Sequence, residues 1–316
     1  MKCLVTGAAG FIGSNLSDRL LQEGHSVVAL DNFSTGFREP IESAISHPAF
    51  DLREVDLLQP DDWSNAMAGV DAVFHLAANA DVRFGLNHPR RDLEQNTLAT
   101  FNVLEAMREH GVRRIAFSST GSIYGEAAVF PTPENAPFPV QTSLYGASKL
   151  ACEGLIQAYC EGYGFQGTIY RFVSILGERY SHGHVFDFYR ALKQDPTVLR
   201  VLGNGKQRKS YLYVQDCVEA ILKGLRDQPG ISIYNLGTDE YVEVNDSIRV
   251  ICEFMGLTPR LDYTGGERGW VGDSPFIFLD CANIRSTGWK PRLSIREAVV
   301  RTLEFFESNP WVFERK

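Results

Sequence analysis

The sequence has no apolar run long enough to cross a bilayer as a helix, no Cys-x-x-Cys pair, no internal repeat, no low-complexity stretch and no block of like charge. Its six cysteines, Cys3, Cys152, Cys160, Cys217, Cys252 and Cys281, are scattered. That argues against a disulfide framework and for reduced thiols. Positive charge is also in deficit. A net charge of −8 speaks against nucleic acid or an anionic membrane as a partner, while leaving room for a local basic pocket around a small anion. The chain enters an apolar strand at its start, without the pattern of a signal peptide, so the expected location is the cytoplasm. What is present is ordinary globular material: 316 residues, 44% hydrophobic and 22% charged, enough for one large or two ordinary domains.

The most informative stretch comes first. Cys3 to Val5 reads as a buried strand, followed by Gly7, Gly10 and Gly13 at three-residue spacing. Phe11, Ile12, Leu16, Leu20 and Leu21 then recur at helical period. A strand that enters a helix through such a turn makes a dinucleotide site. Gly7 keeps the turn tight, Gly10 lets the backbone approach a pyrophosphate, and Gly13 lets the helix pack on the sheet. The helix N-terminus offers N–H groups and partial positive charge to the phosphates. A glycine triplet alone also suits a plain tight turn, but the second strand, His25 to Leu30, ends at Asp31. A carboxylate there accepts hydrogen bonds from ribose hydroxyls and repels a 2′-phosphate. Asn32-Phe33-Ser34 follows with no arginine, which favours NAD over NADP.

Strands and helices then alternate. Leu52–Val55, Asp71–Ala78, Arg114–Ser118 and Thr168–Val173 read as strands, and 60–68, 91–110 and 145–163 as helices. The expected fold is α/β, a Rossmann-type doubly wound parallel sheet, with ligands outside the carboxyl ends of the strands. After about residue 173 the pattern loosens. A strand at Tyr211–Val214, a helix at 216–226 and a strand at Ser232–Leu236 still resemble sheet units, with helices near 185–194, 244–256 and 294–307. The expected division is an NAD-binding domain of residues 1–173 plus about 211–238. A smaller, interleaved C-terminal substrate domain takes 174–210 and 239–316.

The chemistry centres on Tyr145-Gly146-Ala147-Ser148-Lys149. Residues four apart share a helix face. A phenol with a pKa near ~10 is a poor base at neutral pH, but a neighbouring ammonium favours the phenolate. Tyr145 can then take a proton from an alcohol, and Lys149 can also hold the nicotinamide ribose. The pair otherwise reads as an ordinary exposed helix pair. Ser118-Ser119-Thr120-Gly121-Ser122 ends the fifth strand and supplies a hydroxyl to bridge substrate and Tyr145. Thr120 is the first candidate and Ser122 the second.

These motifs, with Asp56-Leu57, His75-Leu76-Ala77-Ala78, Asn96, Tyr124-Gly125 and Arg171-Phe172, resemble the extended short-chain dehydrogenase/reductases of the nucleotide-sugar epimerase/dehydratase family. Gly203-Asn204-Gly205 through Asp216, and Arg268-Gly269-Trp270-Val271-Gly272-Asp273, are similar to its UDP-glucose (UDP-galactose) 4-epimerase branch. The resemblance implies that NAD stays bound while Tyr145 removes the C4 hydroxyl proton of a UDP-hexose. The 4-keto sugar turns over in the pocket, and hydride returns to its opposite face. Asp56 and Leu57 would contact adenine. Leu76, Ala77, Ala78, Asn96 and Ser118 would line the cofactor path, with Asn32 and Ser34 beside Asp31. Thr120, Ser122, Ser174, Val185, Arg208, Lys209, Arg268 and Asp273 would face the substrate. Helices 91–110 and 145–163 pair subunits in relatives, which implies a homodimer.

Dehydratases of the family follow the active-site Thr with Asp-Glu, whereas Gly121-Ser122 stands here and offers no carboxylate for water loss. Two departures bear on the substrate. Ser174 replaces a frequent Asn after Arg-Phe, and Lys209-Ser210, beside Arg208, replaces Arg-Asp. Arg268 with Arg208 or Lys209 would meet the diphosphate. Ile277 lies where the family sets pocket size. UDP-GlcNAc, UDP-glucuronate or another nucleotide sugar is the alternative substrate, and an NAD-binding sensor without turnover the alternative class. His182 and His184, lacking a nearby acid, point to a substrate-side loop rather than a metal. His75, Trp63, Trp289 and Trp311 read as packing residues, and Arg83 as a surface or substrate-side cation.

Overall fold

A computed structural model describes residues 1–82, 84–138 and 140–314; Arg83 lies outside the described residues. Its centre is a parallel sheet of seven strands: β1 (Lys2–Thr6), β2 (Ser26–Asp31), β3 (Phe50–Glu54), β4 (Ala72–His75), β5 (Arg114–Thr120), β6 (Gln166–Phe172) and β7 (Gly230–Leu236). The order across the sheet is β7-β6-β5-β4-β1-β2-β3. The chain winds outward in one direction from β1 to β3, then returns to start again at β4. β1 and β4 are therefore neighbours whose connections leave in opposite directions, and a crevice opens above their carboxyl ends.

The strands are apolar on both faces because helices cover both. Cys3, Val5, Val27, Ala29 and Phe74 belong to one core layer. Leu4, Val28, Leu30, Val73, Trp63 and Ile115 belong to the other. Helix α1 (Phe11–Gln22) buries Leu16 and Leu20 in the first layer. A third core lies among the helices His184–Gln194, Val244–Met255 and Ile295–Ser308, around Tyr189, Ile248, Leu303 and Phe306. Trp63 and Trp289 are fully buried, and Trp311 packs on Phe37 and Phe305.

Several elements differ from expectation. The fourth strand stops at His75, and 76–80 leave the sheet as a loop. The stretch 60–68 is two 3-10 turns, Pro60–Asp62 and Ser64–Met67, too short to repeat an apolar face. The helix expected at 91–110 is broken by a π-helical segment, Leu93–Leu98, between Pro89–Asp92 and Ala99–Glu109. Tyr211–Tyr213 joins Ser174–Leu176 in a separate two-stranded sheet, not the large one. Arg208–Lys209 pairs with Val242–Glu243 and Phe276–Ile277, and Val198–Val201 with Arg260–Tyr263. Strands of two to four residues leave no period in a sequence.

Candidate active site

The β1–α1 turn is built around two glycines that no other residue can replace. Gly7 has φ +67°, and a Cβ there would stand 2.8 Å from the Ala77 nitrogen. A Cβ on Gly13 would stand 2.1 Å from the Gly7 carbonyl oxygen. The turn, α1 and the loop after β4 are thus in backbone contact. Gly10 caps α1 with no side-chain hydrogen bond, so the cap offers the first-turn N–H groups no competing acceptor where a phosphate would sit. Thr6 reinforces the junction, its hydroxyl oxygen accepting from the Leu76 and Ala77 N–H groups at 3.2 and 3.1 Å. At the end of β2, Asp31 accepts from Ala9 N at 2.9 Å and Phe33 N at 2.8 Å, one bond per carboxylate oxygen. These two bonds fix the plane of the carboxylate. Asn32 Oδ1 accepts from Ser34 N at 3.0 Å, which closes the following turn. Past β3, Asp56 Oδ1 accepts from Leu58 N, Leu57 is buried and its carbonyl accepts from Asn102. The crevice above β1, β2 and β4 fits a dinucleotide.

Catalytic candidates meet at the end of β5. The helix Leu144–Tyr163 starts at Ser143, whose Oγ accepts from Gly146 N at 3.0 Å. Tyr145 therefore stands in the first turn, partly exposed, and Lys149 one turn deeper, fully enclosed. Lys149 Nζ donates to the Ser118 carbonyl at 2.8 Å and lies 4.7 Å from the Phe117 ring centroid. Burial pulls its pKa down to about 8, while Cys152 and Glu153 push the other way. Burial raises the Tyr145 phenol to about 12, opposed by a hydrogen bond with Thr120, with Asp92 and Cys152 adding to the rise. Thr120 Oγ1 also accepts from Ser122 N at 3.1 Å and donates to Ser122 Oγ at 3.2 Å. Thr120, Ser122, Tyr145 and Lys149 are thus brought together.

Asn96 lies inside the π-helical segment and is 1% exposed. Its Oδ1 accepts from Asn79 N, and its Nδ2 donates to Ser148 Oγ, both at 2.8 Å; Ser148 Oγ in turn donates to the Tyr145 carbonyl. Asn79 and Asp92, linked at 2.8 Å, complete this support. They carry no sequence signal of their own: Asn79 sits in the loop after β4, and Asp92 ends a four-residue helix before the π turn. His75 is a packed histidine. Burial lowers its pKa to about 3, so it is neutral. Thr6 Oγ1 accepts two N–H bonds and so gives its proton to Nδ1 (2.7 Å), while Nε2 donates to Thr100 Oγ1 (2.9 Å).

The substrate-side candidates divide. Lys209 Nζ donates to Asp273 Oδ1 at 2.8 Å and to the Ser274 carbonyl, and Asp273 Oδ2 accepts from Gly269 N. Arg208, its neighbour on a strand, points to the opposite face. It is exposed, with its guanidinium carbon 3.9 Å from the Phe276 ring centroid. Arg268 pairs with Glu126. The loop holding Arg268 and Asp273 reaches the catalytic helix: a Cβ on Gly272 would stand 2.9 Å from the Thr142 carbonyl. Ile277 abuts Gly121, where a Cβ would meet its Cγ2 at 3.0 Å. Val185 is fully buried, side chain and backbone alike, and offers no surface to a ligand; Ser174 is exposed at the start of its strand. His184 is hydrogen-bonded to Tyr211 at 3.0 Å, and His182 stacks on Tyr180. Among the described residues, no three His, Cys, Asp or Glu side chains stand together as metal ligands, and no helix is long and apolar enough to span a membrane.

Comparison with known proteins agrees with this geometry. Residues 3–237 match the model of the NAD dependent epimerase/dehydratase family. A UDP-glucose 4-epimerase of Mycolicibacterium smegmatis is 32% identical over 317 residues, covering 98% of this chain and 99% of that one. A solved UDP-galactose 4-epimerase superposes with a TM-score of 0.87 at 37% identity, covering 98% of this chain and 100% of the other. A UDP-glucuronic acid 4-epimerase from Bacillus cereus, solved with UDP-glucuronic acid and NAD, superposes with a TM-score of 0.90 at 25% identity, over 98% and 99% of the two chains.

Proposed function

The chain belongs to the NAD-dependent epimerase/dehydratase family and uses NAD, and from that premise we propose that it inverts C4 of a UDP-hexose of the glucose/galactose type, as an isomerase. The observation that carries this is the meeting of Tyr145, Lys149 and Thr120 beside Gly121 and Ser122. The site has a base and a hydroxyl bridge, but no carboxylate at the two positions a dehydratase uses. When bound, NAD accepts a hydride from the substrate carbon and returns it. Thr120 orients the C4 hydroxyl, Tyr145 takes its proton, and Lys149 holds the resulting phenolate by its charge. The same phenol gives the proton back after the 4-keto sugar has turned. The proton and the hydride taken from the C4 alcohol would both be restored, so no net oxidation occurs.

Arg268 and Lys209 are the proposed diphosphate contacts. Lys209 is favoured over Arg208 because it lies on the face with Asp273 and beside His184, while Arg208 is stacked outward on Phe276. Asp273, Ser122 and Ser174 complete the proposed substrate contacts. Residues 1–173 with 211–238 are the proposed cofactor domain, and 174–210 with 239–316 the substrate domain. Exposed Leu93, Leu98 and Phe101 on 89–109, with Leu144 and Tyr163 on the neighbouring helix, support a homodimer. The proposed location is the cytoplasm.

The test is incubation with UDP-galactose, UDP-GlcNAc and UDP-glucuronate without added cofactor, with products resolved by chromatography. UDP-galactose is expected to yield UDP-glucose with no lasting NADH absorbance. Accumulating NADH, or turnover of UDP-glucuronate alone, would replace this proposal. UDP-glucuronate is the second reading, favoured by the likeness to the enzyme solved with that ligand.

A further inference from the structure

The helix that carries Tyr145 and Lys149 continues the same face to Glu153, four residues on. Glu153 is fully buried. Its Oε1 accepts from Ser119 Oγ, one residue from both the Ser118 carbonyl that takes Lys149 and the Thr120 hydroxyl that meets Tyr145. From β6, Arg171 donates to both carboxylate oxygens, at 3.1 Å to Oε1 and 2.7 Å to Oε2. The remaining Arg171 nitrogen donates to Tyr124 OH and the Glu134 carbonyl. Tyr124 OH donates to Asn235 Oδ1 at 2.9 Å. Three successive turns of one helix thus dock onto three successive residues at the end of β5. At the deepest of the three contacts Glu153 also forms a buried ion pair with Arg171 of β6.

Resting on the assignment of Tyr145 and Lys149 above, we propose that Glu153 is a positioning residue for the proton transfer. Its carboxylate fixes the register of the helix on β5 and keeps Lys149 as an ammonium. A buried ion pair is a poor device for stability alone, since desolvation offsets most of its attraction. Here the pair puts one negative charge a single helical turn from Lys149. The charged and titratable groups facing Glu153 are Lys149 on its own helix and Arg171 on β6; Ser119 on β5 is neutral, and Tyr124 and Glu134 lie beyond Arg171. Loss of the negative charge therefore weakens the hold of Lys149 on its proton, because Glu153, with Cys152 on the same helix, opposes the lowering of its pKa by burial.

The experiment compares Glu153→Gln, Ser119→Ala and Tyr145→Phe as holoenzymes, reading melting temperature, bound NAD and the pH dependence of kcat. Glu153→Gln is expected to move the alkaline limb of kcat down by at least ~0.5 pH unit, the effect of one charge at about 6 Å even at the dielectric constant of water. Ser119→Ala keeps the charge and is expected to lower kcat without moving that limb. An unmoved limb in Glu153→Gln, with only melting temperature reduced, overturns the proposal and leaves Glu153 a structural partner of Arg171. If Glu153→Gln does not fold, the limb of Glu153→Gln/Arg171→Gln is compared with that of Arg171→Gln alone, so that only the carboxylate differs; a lower limb in the double variant supports the role of Glu153 and equal limbs overturn it. Near-normal turnover in Tyr145→Phe would remove the base assignment and this proposal with it. Loss of turnover there, beside an unmoved limb in Glu153→Gln, overturns the role of Glu153 alone.

Discussion

Lys149 is tied to the Ser118 carbonyl oxygen at 2.8 Å, so its ammonium is held by the end of β5. In the proposed mechanism it acts on Tyr145 by charge from that fixed place. Burial has pulled the Lys149 ammonium down to about 8 and raised the Tyr145 phenol to about 12.

Replacing Tyr145 by Phe removes the proposed base while leaving the β1–α1 turn untouched. Turnover is expected to fall by roughly two to four orders of magnitude, with NAD still bound. Stopped-time chromatography of UDP-galactose conversion, alongside the absorbance of released cofactor, checks both halves. Activity within a few-fold of the parent would take Tyr145 out of the mechanism.

Asp31→Ala deletes the acceptor expected to meet the ribose and also strands the N–H groups of Ala9 and Phe33. NAD affinity should drop, and discrimination against NADP should relax because the repelling carboxylate is gone. Titration of the apoprotein with each dinucleotide, followed by fluorescence, gives the ratio. An unchanged preference would place the discrimination elsewhere.

Arg268 and Glu126 pair across the substrate side. If the diphosphate takes Arg268, the carboxylate is its competitor. Arg268→Ala should raise KM about tenfold, in line with roughly 1.5 kcal/mol for a hydrogen bond to a charged group. Glu126→Gln should lower KM. Parallel movement of both variants in one direction would exclude the exchange.

His75 gives the fold a pH signature. Its folded pKa, about 3, lies below the usual 6.5, so the unfolded chain binds the extra proton between those values. Stability from this group is complete above pH 6.5 and is lost as pH falls toward 3. Urea midpoints of the parent and His75→Asn, measured from pH 7 down to 4.5, should converge on acidification. A constant difference would mean that His75 titrates as it does in the unfolded chain.

Much of this was legible in the chain. Gly7, Gly10 and Gly13 followed by a periodic helix, Asp31 at a strand end and the Tyr145–Lys149 spacing are local patterns, and local patterns survive in a one-dimensional record. Asn96 was read through the family resemblance, but its links to Asn79, Asp92 and Ser148 were not legible, because the π turn that seats it breaks the periodicity by which helices are read. Glu153 was available as the third member of a four-residue spacing, but only its contacts with Ser119 and Arg171 distinguish it from any charged helix residue. The two-residue strands that place Lys209 inward and Arg208 outward are set by pairing with residues 242–243 and 276–277, remote in sequence.

The widened turn at Leu93–Leu98 has a consequence for how this protein can change. It is in effect one surplus residue wound into a helix, and point substitution does not remove it. Deleting one residue of that turn would restore ordinary pitch and keep Val103, Leu104 and Met107 facing the core, but it would unseat Asn96 from Asn79 and Ser148. Elsewhere in the helix there is no slack, and a single deletion would swing everything downstream by about 100°.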